Sequence, residues 1–233
     1  MMSAESYRMT ACLLLLFILA CCLPTSVDPV VAESSQTPLD LPTGGGGDED
    51  DDEDAPETVV FYGGEYEGDA FCWALDRSGS MMWDGRWPVL QEELASAVNS
   101  LSSLADFGIV FWSDNAILWQ QQSRRALPIN KAMALSWAAA ITPSGSTCVI
   151  EGVLRSLQLN RTSQRRKKVI LLLSDGEPFC NFESNAEDAI QVINGANSDG
   201  QTINCIGVNV GSGGAVFLQQ LATSNGGRYA HVE

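Results

Sequence analysis

Apolar residues along the chain follow two patterns, short uninterrupted runs and longer segments with helical spacing. Residues 70–75 and 169–173 form runs without a charged side chain. Runs of this length are typical of strands that are buried on both faces, as in parallel sheets. Between them, with Pro88 in the first turn, helical spacing predicts a covering helix. Its apolar positions are Leu90, Leu94, Ala97, Leu101 and Leu104.

This alternation of strands and helices continues to the end of the chain. Further strands are predicted at residues 107–112, 116–120, 202–210 and 228–232. Further helices are predicted at residues 130–141 (with Asn130 as N-cap), 148–159, 185–197 and 215–224. Such alternation predicts an open α/β sheet with helices on both faces, which binds ligands at the carboxyl ends of its strands. The β-prone residues 58–62 are expected at the sheet edge or beneath the domain.

Charge is distributed unevenly along the 233 residues, whose formal net charge is −16. From residue 70 onward there are 14 acidic and 12 basic residues, a balance of −2, so the acidic excess precedes the predicted sheet. Because no basic excess accompanies the predicted domain, nucleic acid is not expected as a partner.

The first 32 residues have the pattern of a secretory signal peptide. Arg8 precedes an apolar run at residues 11–23, which is too short to span a bilayer, and cleavage is expected after Ala32. As an alternative, residues 18–21 resemble a bacterial lipobox, and processing there would leave a lipid-modified Cys21. Both interpretations predict a secreted or cell-surface (cell-envelope) protein without a transmembrane segment in the mature chain.

Residues 33–57 have the composition of a disordered linker, with four consecutive glycines and the acidic run 48–54. Dense like charges repel one another and keep such a segment extended. A solvated spacer ahead of a domain at residues 58–233 is therefore predicted, and weak calcium capture by the carboxylates is the alternative interpretation.

Oxygen-bearing side chains follow both buried runs. Asp76, Ser78 and Ser80 occupy alternate positions after the first run, and Asp175 follows the second. Thr147 precedes the predicted helix at 148–159. Hard oxygen donors of this kind suit Mg²⁺, Mn²⁺ or Ca²⁺ rather than zinc.

This set of residues resembles the metal-ion-dependent adhesion site (MIDAS) of the von Willebrand factor A (vWA) family. That site uses the pattern D-x-S-x-S, then a threonine, then an aspartate, and the resemblance covers about residues 59–233. It implies a doubly wound, mostly parallel six-stranded sheet with one antiparallel edge strand. It also implies a divalent ion, Mg²⁺ first with Mn²⁺ or Ca²⁺ as alternatives, at Asp76, Ser78, Ser80, Thr147 and Asp175. The open coordination position of that ion would accept an acidic side chain of an extracellular or cell-surface protein.

Four residues near the predicted site are candidates for the rim of a ligand-binding surface. Trp83 and Trp87 follow the first loop, Arg77 lies within it, and Glu177 follows Asp175 by two positions. Tryptophans are frequent binding hot spots. The alternatives are packing of the first helix onto the sheet for the tryptophans, and a plain surface position for Glu177.

The resemblance also has a consequence for the cysteines. It places Cys148 and Cys180 at the same end of the sheet, where a disulfide is expected in an oxidising compartment. Cys72 and Cys205 lie on strands that the family separates by a third strand, which is too far for a disulfide, so both are expected as buried thiols.

Catalysis has little support in the sequence. The single histidine, His231, lies on the last predicted strand, and no further base accompanies Asp76 and Asp175. We therefore predict a non-enzymatic exported module that binds a protein ligand through a divalent ion. The alternatives are a surface scaffold in which the ion is mainly structural and, third, a metal-assisted hydrolase.

Overall fold

The structure is a computed structural model, and it describes residues 56–180 and 186–233. The predicted signal peptide, Cys21 and nearly all of the predicted linker lie outside the described residues. The strands are β1 (Glu57–Phe61), β2 (Gly64–Gly68), β3 (Ala70–Asp76), β4 (Asp106–Trp112), β5 (Ala116–Leu118), β6 (Arg124–Arg125), β7 (Lys168–Ser174), β8 (Thr202–Val208) and β9 (Tyr229–Val232). The α-helices are α1 (Arg86–Ser100), α2 (Pro128–Ala139), α3 (Val149–Arg161), α4 (Ala186–Ala196) and α5 (Ser212–Ser224).

Six strands form one sheet in the order β5-β4-β3-β7-β8-β9, and the two-residue strand β6 also pairs with β4. The pairs β3–β4, β3–β7, β7–β8 and β8–β9 are parallel, whereas β5 and β6 run antiparallel to β4. The predicted fold class, a mostly parallel α/β sheet with an antiparallel edge strand, is confirmed. The additional strand β6 was not predicted.

Helices cover both faces of this sheet because the side chains of the central strands alternate between two cores. On β3, Trp73 and Leu75 belong to the core that contains α1 and α2, whereas Cys72 and Ala74 belong to the core that contains α3, α4 and α5. Every residue of β3 is buried. This arrangement explains the absence of polar residues in the run before Asp76.

The segment that begins with β1 does not lie at the edge of the main sheet, so the first of the two expected positions was wrong, and it packs beneath the domain instead. β1 pairs with β2 as a separate two-stranded antiparallel sheet. Val59 and Phe61 point to one side and are fully buried, and the ring of Phe61 lies 6.4 Å from that of Trp73. Because only one face of the hairpin is apolar, it adds a layer to the core instead of extending the sheet.

One helix start also differs from the prediction. α2 begins at Pro128, which occupies the first turn, and Asn130 donates a side-chain hydrogen bond to the Arg125 carbonyl (2.9 Å) instead of serving as the N-cap. A proline in the first helical turn loses no hydrogen bond, which favours the earlier start.

None of the helices in the described ranges has the length and apolar character needed to cross a membrane.

Candidate metal centre

The five predicted oxygen donors lie in three segments at one edge of the sheet. Asp76 is the last residue of β3, and Asp175 directly follows β7, the parallel neighbour of β3. Thr147 lies two residues before α3. Because Leu75 of β3 lies opposite Leu173 of β7, the carboxyl ends of the two strands bring Asp76 level with Ser174, next to Asp175.

Asp76 is fully buried and held in place through both carboxylate oxygens. Its Oδ1 accepts a hydrogen bond from the backbone N–H of Ser78, and its Oδ2 accepts one from the hydroxyl of Ser174 (both 2.7 Å). Burial raises the pKa of the Asp76 carboxyl to about 7, and the negative charge of Asp175 acts in the same direction. The repulsion between the two carboxylates is relieved by a proton on Asp76 or by a nearby positive charge.

Three further oxygen atoms follow one another at nearly equal distances. The hydroxyls of Ser78 and Ser80 are 3.1 Å apart, and Ser80 Oγ donates to Asp175 Oδ1 over 2.9 Å. Neighbouring ligands of an octahedral Mg²⁺ ion, with metal–oxygen bonds near 2.1 Å, are separated by about 3.0 Å. The spacing of these oxygens therefore fits an Mg²⁺ shell.

Backbone contacts fix the loops that carry these groups. The N–H of Gly79 donates to the carbonyl of Gly145 (3.0 Å), and the N–H of Ser144 donates to that of Arg77 (2.6 Å). Gly145 has a φ of +89°, and a Cβ atom there would lie 2.5 Å from a carboxylate oxygen of Asp114. Only glycine both adopts this φ without strain and lacks the Cβ atom that would clash with Asp114. Gly145 therefore allows the loop of Thr147 to approach the loop of Ser78.

Thr147 is tied to the segment that follows Asp175. It exchanges two backbone hydrogen bonds with Phe179 (both 3.0 Å), and the adjacent Cys148 forms the predicted disulfide with Cys180. Within the described residues the Thr147 hydroxyl has no hydrogen-bond partner, and Cys148 is the N-cap of α3 without a side-chain cap bond. The hydroxyl is therefore available as a donor to an ion.

The other two cysteines of the domain are buried thiols, as predicted. Strand β7 lies between their strands, β3 and β8. Burial raises the pKa of the Cys72 thiol to about 12 and also raises that of Cys205, so neither is a reactive thiolate at neutral pH.

Arg86 belongs to the site but was not predicted from the sequence. It is the first residue of α1, and its Nη1 donates to Asp175 Oδ2 over 2.6 Å while its Nη2 donates to Asp84 Oδ2 over 3.1 Å. The Asp175 side chain is fully buried, and that of Arg86 is 11% exposed. In the sequence, the only indication of this contact is that an arginine lies at a helix start, shortly after the loop that carries Ser78 and Ser80.

The four rim candidates differ in their surroundings. Trp83 is 64% exposed, whereas Trp87 is half-buried with its ring 5.4 Å from that of Phe111, which agrees with the packing alternative. Arg77 donates to Ser144 Oγ (3.0 Å) at the edge of the site. Glu177 is exposed and lies against the start of α5, where a Cβ atom on Gly213 would come within 1.8 Å of its Oε1.

The donor set suits a hard divalent cation. In the described part of the chain no group of three or more acidic, histidine or cysteine side chains could hold a metal ion. The site instead combines two carboxylates with three hydroxyls, and oxygen donors of this kind favour Mg²⁺ over zinc.

Comparisons with known proteins agree with this architecture. Inter-alpha-trypsin inhibitor heavy chain H4 of Homo sapiens is 29% identical over 180 residues, which cover 74% of this chain and 18% of the relative. Its Bos taurus counterpart is 28% identical over 166 residues, covering 66% of this chain and 17% of the relative. The matched region thus spans less than a fifth of these relatives.

Several solved structures share the fold. A von Willebrand factor type A protein from Catenulispora acidiphila superposes with a TM-score of 0.62 at 21% identity, covering 72% of this chain and 40% of that one. The pilus adhesin SpaC from Lactobacillus rhamnosus GG gives 0.60 at 13% identity, with 70% and 28% covered. The vWF domain of a type V pili tip protein from Porphyromonas gingivalis gives 0.58 at 13% identity, with 75% and 90% covered.

The family model for the von Willebrand factor type A domain matches residues 72–233, which is more than half of the chain. The chain therefore belongs to the von Willebrand factor type A domain family.

Proposed function

We propose that the domain binds a protein ligand through a divalent cation, Mg²⁺ in the first place, held by Asp76, Ser78, Ser80, Thr147 and Asp175. When bound, the ion supplies an open coordination position that accepts an acidic side chain of the ligand. The relatives named above include an inhibitor heavy chain, a pilus adhesin and a pili tip protein. The similarity to these proteins supports a binding or scaffold module rather than an enzyme.

The gathering of two buried carboxylates and two hydroxyls at one end of the sheet carries this proposal. Ser78, Ser80 and Asp175 present three oxygens at distances compatible with an Mg²⁺ shell, and the buried Asp76 accepts the backbone N–H of Ser78. The two carboxylates balance the charge of a divalent ion, but Arg86, which binds Asp175, adds a positive charge, so the occupied site would keep a net charge of +1 (−2 from the carboxylates, +1 from Arg86 and +2 from the ion). An acidic ligand side chain would neutralise this remaining charge.

The surrounding loops favour ligand binding over a purely structural ion. The disulfide and two backbone hydrogen bonds already join the Thr147 loop to the segment after Asp175. The hydrogen bond from Gly79 to Gly145 joins the remaining loop. An ion is therefore not needed to hold these loops together, which weakens the scaffold alternative.

Export is part of the same proposal. Cleavage after Ala32, or lipid modification at Cys21, would deliver the domain to the outside of the cell or to its surface. The described part of the chain contains a disulfide, which persists in oxidising compartments. The candidate partner is accordingly an extracellular or cell-surface protein with an accessible acidic residue.

The experiment compares thermal unfolding and ligand capture with Mg²⁺ and with chelator for the wild type, Thr147→Val and Thr142→Val. Thr142 is exposed in the same connecting segment and serves as the matched control. Mg²⁺ should raise the melting temperature of the wild type and of Thr142→Val by mass action. Thr147→Val, which keeps the shape and loses the hydroxyl, should respond much less.

Capture of extracellular proteins on the immobilised domain gives the functional result. Partners should be retained in Mg²⁺ and released by chelator while the fold stays intact. Retention that is independent of chelator, or an equal Mg²⁺ response in wild type and Thr147→Val, would contradict the proposal.

A further inference from the structure

The guanidinium group of Arg86 occupies one side of the candidate metal centre. It reaches Asp175 Oδ2 over 2.6 Å, and the other oxygen of the same carboxylate accepts the hydroxyl of Ser80 over 2.9 Å. The Asp175 side chain is fully buried. Both oxygens of this predicted ligand are therefore bound by groups of the protein itself.

Arg86 is held firmly in this position. Its second arm donates to Asp84, its side chain is 11% exposed, and its Nε is buried without a hydrogen-bond partner in the described part of the chain. The side chain of Asp84 is 69% exposed, so of the two carboxylates that bind Arg86 only Asp175 is buried. A buried ion pair of this geometry costs free energy to break, because separation leaves an uncompensated charge in the interior.

The charge of the site follows from these contacts. Asp76 and Asp175 contribute two negative charges when both are ionised, and Arg86 contributes one positive charge. Without another cation, the guanidinium of Arg86, which binds Asp175, offsets part of the negative charge of the site. A divalent ion at the same donors would meet the guanidinium as a like charge a few ångströms away.

We propose that Arg86 is a built-in counter-ion that stabilises the metal-free site and opposes the binding of the divalent ion, thereby setting its affinity. This inference rests on the proposed function, because it concerns the same donor set. Arg86 acts through Asp175 and through charge, and it is a positioning residue rather than a ligand.

The experiment measures Mg²⁺ binding by titration calorimetry, together with thermal unfolding in chelator, for wild type, Arg86→Gln and Arg155→Gln. Arg155 is half-exposed on α3 with Glu151 as its partner, so its variant removes the same charge away from the site. Arg86→Gln should melt at a lower temperature without metal and bind Mg²⁺ tighter by on the order of tenfold, the Coulombic effect of one nearby unit charge on a divalent ion. Arg155→Gln should match the wild type in both measurements.

A second variant covers the case in which Arg86→Gln does not fold. Arg86→Lys keeps the positive charge but lacks the forked guanidinium that binds Asp84 and Asp175 together, so its hold on Asp175 is weaker. It should bind Mg²⁺ about threefold tighter than the wild type, a part of the effect of full charge removal.

The outcomes separate this inference from the proposed function. If the wild type binds Mg²⁺ and neither Arg86 variant binds it tighter, the counter-ion role is wrong while the metal site stands. If neither the wild type nor the variants bind Mg²⁺, the metal site is wrong. In that case the metal-free melting temperatures still decide the stabilising role, which fails if Arg86→Gln melts at the same temperature as Arg155→Gln.

Discussion

Asp76 is the most deeply buried carboxylate of the candidate site, and its ionisation opposes folding of the metal-free protein. Burial raises its pKa to about 7, against about 3.9 for an unfolded chain. Between these two values the folded state binds a proton that the unfolded state has released. The free energy of unfolding therefore falls as pH rises from about 4 to about 7, by an upper bound of about 4 kcal/mol.

This pH dependence is a first prediction. Urea unfolding in chelator between pH 5 and pH 8 should show stability falling with pH in the wild type and changing much less in Asp76→Asn. The control is Asp199→Asn, because Arg161 lowers the pKa of Asp199, which therefore titrates below this range. A wild-type protein that gains stability towards pH 8 would show that the burial of Asp76 is not the dominant effect.

At the same scale, the sequence pattern predicted the five donors but not Arg86, whose guanidinium binds one of them, Asp175. The donors could be predicted because they follow the two buried apolar runs at fixed positions in the sequence. The contact of Arg86 depends on a turn in which Asp84 and Gly85 adopt φ values of +53° and +72°, and this turn brings the helix start back to Asp175. The sequence also contains a glycosylation sequon, Asn160-Arg161-Thr162, but the Asn160 side chain is buried and its amide donates to the Val169 carbonyl (3.3 Å), so a glycan could not attach to the folded protein there.

At the scale of elements, periodicity predicted the long strands and helices to within a few residues at either end. The two strands that were not predicted, β2 and β6, share one physical cause, the absence of a repeating apolar pattern. β6 consists of two exposed arginines, and β2 has Tyr66 as its single large apolar side chain. Their pairing is decided by neighbouring strands, which a single segment of sequence does not contain.

The disulfide is the element-scale feature with the clearest consequence for the site, and it gives a second prediction. It closes a loop with a sequence separation of 32 residues, and loop-closure entropy corresponds to a stabilisation of about 3–4 kcal/mol. Reduction should lower the melting temperature and also weaken Mg²⁺ binding, because the Thr147 loop loses its covalent link to the segment after Asp175.

The measurement is thermal unfolding and Mg²⁺ titration with and without dithiothreitol. The double variant Cys148→Ser/Cys180→Ser serves as the control. It should resemble the reduced wild type, and dithiothreitol should change neither its melting temperature nor its Mg²⁺ binding. If reduction lowered stability but left Mg²⁺ binding unchanged, the disulfide would support the fold without organising the site.

At the scale of the whole molecule, the third prediction concerns the residue at which the mature chain begins. Mass spectrometry of the natively produced protein should find an N-terminus at Glu33, or a lipid-modified Cys21 in the alternative. The physical reason is the apolar run of residues 11–23, which suits a signal peptide and is too short for a membrane span. Detection of the complete chain from Met1 inside the cell would overturn both versions.

The point where the described chain enters the domain and the candidate metal centre lie at opposite ends of the sheet. The described chain enters the domain at Glu57, whose carboxylate accepts the N–H of Ser102 (2.9 Å) just beyond the last turn of α1. The candidate metal centre lies at the opposite end, where α1 begins. A tether attached ahead of Glu57 would therefore hold the domain by its base, with the metal face directed outward.

If the domain is tethered ahead of Glu57, the hairpin of β1 and β2 is the first part of it to carry a load. Tension between a tether and a ligand would reach the domain first at Glu57, which pairs with Gly68 at the open end of the hairpin. Loaded from that end, the backbone pairs of the hairpin separate one after another, whereas the parallel strands behind it share the load. The hairpin would peel away and lengthen the tether before the sheet that carries the metal centre yields.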